Sequence, residues 1–331
     1  MQDIMWIFKK NKQSGECEES YEGDVWMTRL HMFLIFAIVL VIIVLLSLAN
    51  ATRIENALRV VVEEAMRRPD STSAGIPILM YHHLVEDLSG FEGNEAVVSV
   101  DQFREQMRFL AQEGFMTLNA QQLVNYLKGK SVPENTVVIT FDDGYESKYI
   151  YAYPILKEYG LTAIIHVIVA VTPGEIGGDR EGIPKISWDQ MERMVDSGVI
   201  DIQSHTFDSH YYAKASEEGD TKPKLAAKIW IENENRKETE YEFLMRITED
   251  LQLSEQMIEN RLCNDVIAIA YPFGVHNEII RQVIRDKTGI KLGFTVRRGY
   301  VKPGDDPLKL NRINVSPRWT LEDFKKAVKS E

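Results

Sequence analysis

Cysteine is nearly absent from this sequence, which contains two cysteines, Cys17 and Cys263, in 331 residues. A long apolar stretch separates them, and if that stretch crosses a membrane the two thiols lie on opposite sides of it. They then cannot come within the short distance that a disulfide requires. The sequence therefore predicts a fold that disulfides do not stabilise.

The sequence also lacks a dense stripe of lysine and arginine, and its formal net charge is −12 at pH 7. Because nucleic-acid-binding proteins normally carry such a positive patch, we expect no nucleic-acid partner. Apolar residues make up 44% of the chain and charged residues 27%, which is typical of a globular protein and excludes wholesale disorder. The length leaves room for one domain of about 200–250 residues and additional segments.

Charge is missing altogether from residues 32–49, MFLIFAIVLVIIVLLSLA, which also have no polar face. At about 1.5 Å per residue, a helix of this length spans ~27 Å, close to the hydrocarbon thickness of a bilayer. Basic residues flank the segment almost equally, so the large C-terminal domain decides the predicted orientation. We expect a signal anchor with residues 1–31 as a cytoplasmic tail, a single-pass location in the cell membrane and an extracellular C-terminal domain. Cleavage after Ser47-Leu48-Ala49 and secretion is the alternative.

Residues 50–75 follow the apolar segment and predict a stem helix and a linker. Ile54, Leu58, Val61 and Ala65 recur at helical spacing between charged residues. This pattern favours self-association through the stem or, equally, a solvated spacer. The remaining residues, 76–331, are predicted to form the functional domain.

Apolar runs alternate with helical patterns from Ile76 onward, which predicts parallel strands joined by crossover helices, hence an α/β sheet or barrel. Asp101 and Asn119 are predicted helix caps. The charged stretch 213–249 is interpreted as an insertion on the rim. The predicted strands are 78–81, 137–141, 163–170, 200–203, 266–270 and 292–296, and the later helices are 146–158, 187–196, 254–263 and 278–286.

Two carboxylates, Asp142 and Asp143, stand together where the run VVITF ends, and Gly144 follows them. Neighbouring side chains on a strand point to opposite faces, so both can face one cavity only where the backbone turns. Two adjacent negative charges repel each other unless a cation or a shared proton compensates them. An ordinary Asp-Asp-Gly turn is the alternative.

Two histidines, His205 and His210, follow another predicted strand end, and functional residues gather at the carboxyl ends of parallel strands. One carboxylate and two imidazoles make a three-ligand catalytic metal site with positions open for water and substrate. The second carboxylate could then take a proton from water. Taken singly, each histidine could equally be a surface residue of a polar loop.

With the sequence TFDDG at residues 140–144 and this histidine pair, the chain resembles the polysaccharide deacetylases, carbohydrate esterases of the NodB-homology type. The resemblance implies a distorted (β/α) barrel, with Asp142 as general base and Asp143, His205 and His210 as ligands of a divalent metal. Zinc is the expected ion, with cobalt and nickel as alternatives. The five-residue histidine spacing is similar to that of the branch that deacetylates poly-N-acetylglucosamine.

The sequence AYPFG, residues 270–274, resembles the third family motif, whose aromatic residue donates a backbone N–H to the oxyanion. That role falls to Phe273, which needs only its backbone for it. Further candidates for contact with the substrate are Tyr271, Pro272, Trp188 and Arg312. For Trp188, simple packing is the alternative.

Two departures from the family pattern concern the base and the acid. Many members carry an orienting arginine in the third motif where this chain has Ala270. Arg312 could replace it, or could form a surface ion pair. Many members also carry a late histidine as general acid, and none occurs near residues 310–315. His82 is the candidate acid, because its surroundings, LMYHHLVED, resemble an element of the poly-N-acetylglucosamine branch.

The other histidines receive lesser roles in this interpretation. His276 is the fallback acid, His83 is expected to point away from the site, and His166, inside an apolar run, is interpreted as a core histidine. The expected function is metal-dependent de-N-acetylation of an extracellular or cell-wall glycan, with poly-β-1,6-N-acetylglucosamine as substrate. Peptidoglycan is the alternative substrate, and a membrane-tethered glycan-binding module without catalysis is the alternative function.

Overall fold

The structure is a computed structural model that describes residues 75–178 and 182–329. The predicted tail 1–31, the apolar segment 32–49 and the stem up to residue 74 lie outside the described residues, so the anchor and the stem stay predictions. Among the residues that are described, none of the helices combines the length and the apolar character needed to cross a bilayer.

Strands and helices alternate along the described chain. The strands are β1 (Ile76–Tyr81), β2 (His83–Val85), β3 (Val97–Ser99), β4 (Met116–Thr117), β5 (Thr136–Phe141), β6 (Ala163–Val167), β7 (Ile200–Ser204), β8 (Tyr212–Lys214), β9 (Thr221–Pro223), β10 (Trp230–Ile231), β11 (Arg236–Lys237), β12 (Ala268–Ala270), β13 (Leu292–Arg298), β14 (Tyr300–Val301) and β15 (Leu310–Asn314). The α-helices are α1 (Val100–Gln112), α2 (Ala120–Leu127), α3 (Tyr153–Tyr159), α4 (Trp188–Asp196), α5 (Glu240–Leu262), α6 (Glu278–Lys287) and α7 (Leu321–Lys329). A π-helical turn covers Lys148–Ala152, and short 3₁₀ turns cover Val169–Val171, Glu232–Glu234 and Pro272–Gly274.

A closed barrel of seven parallel strands lies at the centre of the described structure, in the order β1, β15, β13, β12, β7, β6, β5. It closes because β1 pairs with strands on both of its sides: Leu79 lies opposite Ile313 of β15 and opposite Ile139 of β5. Strand β4 extends the sheet beside β5, and β14 pairs antiparallel with β1. The predicted α/β barrel is confirmed.

Burial on both faces explains the apolar runs of the barrel strands. Every residue of β1 (IPILMY) and β5 (TVVITF) is buried. Parallel strands covered on both faces carry such continuous runs rather than an alternating pattern. Alternate residues belong to two different clusters, with Leu79 and Ile139 in one and Ile78 and Val138 in the other.

Several element boundaries differ from the sequence predictions. Ser99, not Asp101, caps α1, and Asp101 lies in the first helical turn. Asn119 caps α2, as predicted. The predicted strand 163–170 ends at Val167, and a 3₁₀ turn covers Val169–Val171.

The charged stretch 213–249 is partly helical. Helix α5 begins at Glu240, well before the predicted 254, because Thr239 and Glu242 form a reciprocal capping box there. The rest of the stretch contains two small hairpins, β8–β9 and β10–β11, each outside the main sheet. Strand β15 was not predicted at all, because its mixed sequence LNRIN lacks an apolar run.

Candidate active site

The two aspartates lie in a left-handed turn at the carboxyl end of β5. Asp143 has φ 69° and Gly144 has φ 61°. A Cβ on Gly144 would lie 3.3 Å from a methyl group of Val167, so both the conformation and the space favour glycine. Because the backbone turns here, both carboxylates can serve one site although their residues are adjacent.

Asp143 meets the two predicted histidines. Its Oδ1 lies 3.4 Å from Nε2 of His205 and 3.3 Å from Nε2 of His210. Asp143 and His205 are buried, and His210 is half-buried. His205 directly follows β7, so the barrel delivers all three side chains to one edge of the sheet.

The chemistry of this triad fits a divalent metal. One ligand atom from each residue lies within 4.8 Å of the others. Ligand atoms about 2.0–2.1 Å from a tetrahedral ion lie about 3.3 Å apart, which matches the carboxylate–imidazole distances. Oδ1 of Asp143 is buried without a hydrogen-bond partner among the described residues, and a bound cation would satisfy it.

Both imidazoles are held in a state that suits metal binding. Nδ1 of His205 donates to the carbonyl oxygen of Ala270 at 2.7 Å, which leaves the Nε2 lone pair free for a metal. Burial lowers the pKa of His210 to about 4, so His210 is neutral at pH 7. The ring of Phe273 packs on His210 with 4.6 Å between ring centroids.

Asp142 forms a separate buried network with Arg312. The guanidinium donates to Oδ1 at 2.8 Å and to Oδ2 at 2.7 Å, and its Nε donates to the carbonyl oxygen of Thr295. His166 lies 3.1 Å from the same Oδ1, and since an ionised carboxylate only accepts, its Nδ1 donates. Burial alone would raise the pKa of Asp142, but the charge of Arg312 and these hydrogen bonds hold it well below the usual value.

Arg312 takes the orienting position beside the base, as one of its two sequence-based interpretations predicts. Because it is fully buried, it neither forms a surface ion pair nor contacts a glycan directly, so these two predictions are wrong. His166 is buried, as expected of a core histidine, but it also contacts Asp142. The pairing of β5 with β6 places Phe141 opposite Ile165. The residues that follow them, Asp142 and His166, therefore lie side by side.

The third-motif residues are divided between the site and the core. Phe273 has a left-handed backbone, φ 57°, next to His210. Tyr271 is buried and donates its hydroxyl to the carbonyl oxygen of Leu308, so its side chain is not available to a substrate. Pro272 is also buried.

Trp188, His83 and His276 each have a hydrogen-bond partner outside the triad. Trp188 donates from Nε1 to Glu175 at 2.8 Å and lies at the start of α4. Nδ1 of His83 pairs with the hydroxyl of Ser147. Nδ1 of His276 pairs with Arg281, and its ring stacks on Tyr271.

His82 follows β1 and lies within electrostatic range of both aspartates. Burial lowers its pKa, and the charges of Asp142 and Asp143 partly oppose that effect. Its Nδ1 is buried and has no hydrogen-bond partner among the described residues.

Replacing Arg312 with methionine is expected to reduce the free energy of unfolding at pH 7 by about 3–5 kcal/mol, because Asp142 loses its buried partner. In the wild type the depressed pKa stabilises the fold above about pH 3.8, and this contribution is lost as the pH falls further. In the variant, the buried Asp142 carboxyl has no partner and its pKa is raised. The free-energy cost of burying its charge therefore disappears as the pH falls and the carboxyl becomes protonated. In urea unfolding, the difference in the free energy of unfolding between the wild type and Arg312→Met should therefore become smaller from pH 7 to pH 4.

Arg318→Met is the matched control for this measurement. Arg318 is exposed and pairs with Glu95 at the surface, where ion pairs contribute little. An equal loss of stability in both variants, or a deficit for Arg312→Met that does not change with pH, would contradict the role assigned to Arg312.

Comparison with known proteins agrees with this geometry. The family described as polysaccharide deacetylase matches residues 129–292. A poly-beta-1,6-N-acetyl-D-glucosamine N-deacetylase of Staphylococcus aureus (strain MRSA252) is 30% identical over 220 residues, which cover 66% of this chain and 68% of that protein.

Two solved structures resemble the described fold. The de-N-acetylase of Aggregatibacter actinomycetemcomitans matches with a TM-score of 0.66 and 25% identity, covering 76% of this chain and 98% of that chain. The Streptococcus pyogenes deacetylase PplD, solved in complex with acetate, matches with a TM-score of 0.62 and 26% identity, covering 78% of this chain and 99% of that chain. The chain belongs to the polysaccharide deacetylase family and is a hydrolase of non-peptide carbon–nitrogen bonds.

Proposed function

We propose that this protein is a metal-dependent de-N-acetylase of N-acetylglucosamine units in an extracellular glycan, with poly-β-1,6-N-acetylglucosamine as its substrate. The observation that carries the proposal is the carboxylate–imidazole triad of Asp143, His205 and His210 beside a second, ionised carboxylate, Asp142. The S. aureus relative, named for that glycan, and the five-residue histidine spacing support the choice of substrate.

Asp143, His205 and His210 would hold the metal, for which we propose zinc, with cobalt and nickel as alternatives. The ion would supply Lewis acidity toward the acetamide carbonyl and toward water. Asp142 is ionised at neutral pH, as a base must be, and takes the proton of the attacking water. Arg312 and His166 keep its carboxylate oriented.

The other groups serve the oxyanion and the leaving amine. Phe273 lies beside His210, and its backbone N–H is assigned to the oxyanion. His82 is assigned to protonate the departing amine; since burial lowers its pKa, it must first receive a proton, and the proton that Asp142 takes from the attacking water supplies it. The products are acetate and a glucosamine unit.

A cavity beside the triad provides space for a sugar. It has a volume of about 320 Å³, and its lining includes Ile168, Tyr211 and His210. Pockets of small ligands begin at about 300 Å³. Tyr212 extends the aromatic surface, with its ring centroid 4.7 Å from that of Phe273.

Acetate release from two glycans tests the substrate assignment. Full-length protein in detergent with added zinc is expected to release acetate from β-1,6-linked N-acetylglucosamine oligomers faster than from peptidoglycan. Faster release from peptidoglycan would show that peptidoglycan is the substrate and would leave the proposed deacetylation reaction unchanged. Metal binding without release from either substrate would favour a glycan-binding module. The absence of the family's late histidine, a general acid in many members, is the sequence feature that favours this alternative.

The location is part of the proposal. We propose that residues 32–49 anchor the protein, that residues 76–331 face the outside, and that the stem associates with a second copy. Cys263 is exposed and is the only cysteine after the proposed anchor. A membrane-impermeant maleimide should label Cys263 in intact cells and Cys17 only after lysis. Labelling of Cys263 only after lysis would contradict this orientation, and labelled protein in the medium would indicate cleavage.

A further inference from the structure

Two lysines lie against the backbone of the aspartate turn. Nζ of Lys148, a fully buried residue, donates to the carbonyl oxygen of Asp142 at 2.9 Å. Nζ of Lys185, a half-buried residue, donates to the carbonyl oxygen of Asp143 at 2.8 Å. Each residue of the turn thus presents its carboxylate to the site and its carbonyl to a lysine.

The ring of Tyr145 contacts both amino groups. Nζ of Lys148 is 4.3 Å from the ring centroid, and Nζ of Lys185 is 3.7 Å from it. Cations attract the face of an aromatic ring at such distances. The two lysines and Tyr145, here called the lysine clamp, therefore form one unit that contacts both carbonyls.

Backbone hydrogen bonds join the clamp to the segment that carries Lys185. The N–H of Glu146 donates to the carbonyl oxygen of Pro184, and the N–H of Ile186 donates to that of Gly144. Tyr145 and Lys185 form an antiparallel bridge between these two bonds. The clamp thus connects the turn to a second, distant part of the chain.

Stability alone does not explain a lysine at position 148. Among the described residues, no carboxylate forms an ion pair with Lys148, and a buried amino group costs more than an apolar side chain of the same shape. The turn after β5, in contrast, needs support, because its left-handed backbone is unfavourable for Asp143. Both the charged and the neutral amine donate N–H bonds, so this support is available in either form.

We propose that Lys148 and Lys185 are positioning residues for the reaction. By holding the two carbonyls, they fix the separation and direction of the base Asp142 and the metal ligand Asp143. This inference rests on the proposed function. It assigns the lysines a role in orientation, not in contact with substrate or metal.

Lys148→Met in the full-length protein tests the clamp. We expect kcat for acetate release to fall about 10- to 100-fold with KM nearly unchanged, because small misplacements of catalytic groups are costly. We expect zinc affinity, measured by calorimetric titration, to fall about 10-fold, as for other groups that orient ligands. The thermal midpoint should change little, because the lost hydrogen bond to the Asp142 carbonyl offsets the gain from removing a buried amine.

Lys157→Met is the matched control, because Lys157 also lies over a tyrosine ring, that of Tyr153, but is exposed at the surface. It should change none of the three quantities. Lys185→Met should repeat the loss of kcat and of zinc affinity at a half-buried position. Lys185→Arg, which keeps a donor, should retain both quantities near the wild-type values.

Unchanged kcat and zinc affinity in both methionine variants would overturn the inference. So would a loss of activity that follows the thermal midpoint downward, because it would indicate a purely structural role. If wild-type protein releases no acetate, the proposed function fails, whereas zinc titration of the same variants still decides whether the clamp orients Asp143.

Discussion

Asp142→Asn is expected to lower kcat about 10²- to 10⁴-fold, the range for removal of a general base. Asparagine cannot take a proton from water, but it still accepts a hydrogen bond from Arg312. The three proposed metal ligands are unchanged, so zinc affinity measured by titration should stay close to that of the wild type. Acetate release and circular dichroism of the same preparation separate lost chemistry from lost folding.

Asp201→Asn is the control for this substitution. Asp201 is a half-buried aspartate near the start of β7, where it accepts hydrogen bonds from Gln203 and the backbone N–H of Ala120. It lies at the opposite end of its strand from His205, so its replacement should not affect kcat. Full activity of Asp142→Asn would remove the base from the proposed mechanism.

His210→Ala is expected to weaken zinc binding by more than 100-fold and to abolish acetate release at low zinc. Substitution of groups that merely orient metal ligands costs about 10- to 100-fold in affinity, so the loss of a ligand should cost more. His210 is half-buried at the cavity, and alanine at this position leaves the fold's core unchanged. Calorimetric titration of metal-free protein measures the effect.

His276→Ala provides the comparison for the histidine substitution. His276 is close in sequence to Phe273, but it stacks on Tyr271 and pairs with Arg281, outside the triad. Its loss should leave zinc affinity unchanged. Equal affinity in the His210 variant and the wild type would show that the ion binds elsewhere.

The core of the site could be predicted from the sequence because its residues lie in two short stretches, each at the end of a predicted strand. TFDDG combines a buried strand with a turn, and the histidines follow another strand, so the sequence alone predicts that these side chains meet at one edge of a parallel sheet. The described structure places Asp143, His205 and His210 together as that argument requires.

Residues that depend on strand pairing were harder to predict. His166 lies in an apolar run, and its contact with Asp142 follows only from the register of β5 with β6. Arg312 reaches Asp142 across 170 residues because the barrel closes through β1. Nothing local in LNRIN indicates a buried arginine, so its orienting role could be predicted only from the family pattern, with a surface ion pair as the alternative. Tyr271 was assigned to the substrate because its motif borders the site, whereas its side chain points into the core.

Lys148 illustrates a different limit of sequence reasoning. A lysine in the segment ESKYIY is normally interpreted as exposed, since lysine is almost never fully buried without a partner. A π-helical turn, Lys148–Ala152, places it beneath the aspartate turn instead. Such turns are rare, so a sequence pattern of this kind is normally interpreted as ordinary α-helix.

Acetate release before and after metal removal tests the central claim most directly. Full-length protein stripped with a chelator should release no acetate from β-1,6-linked N-acetylglucosamine oligomers, and stoichiometric zinc, or cobalt, should restore release. That result would establish deacetylation that depends on a metal. Undiminished release by protein shown to be metal-free would contradict the assignment of Asp143, His205 and His210 as the ligands of a catalytic ion.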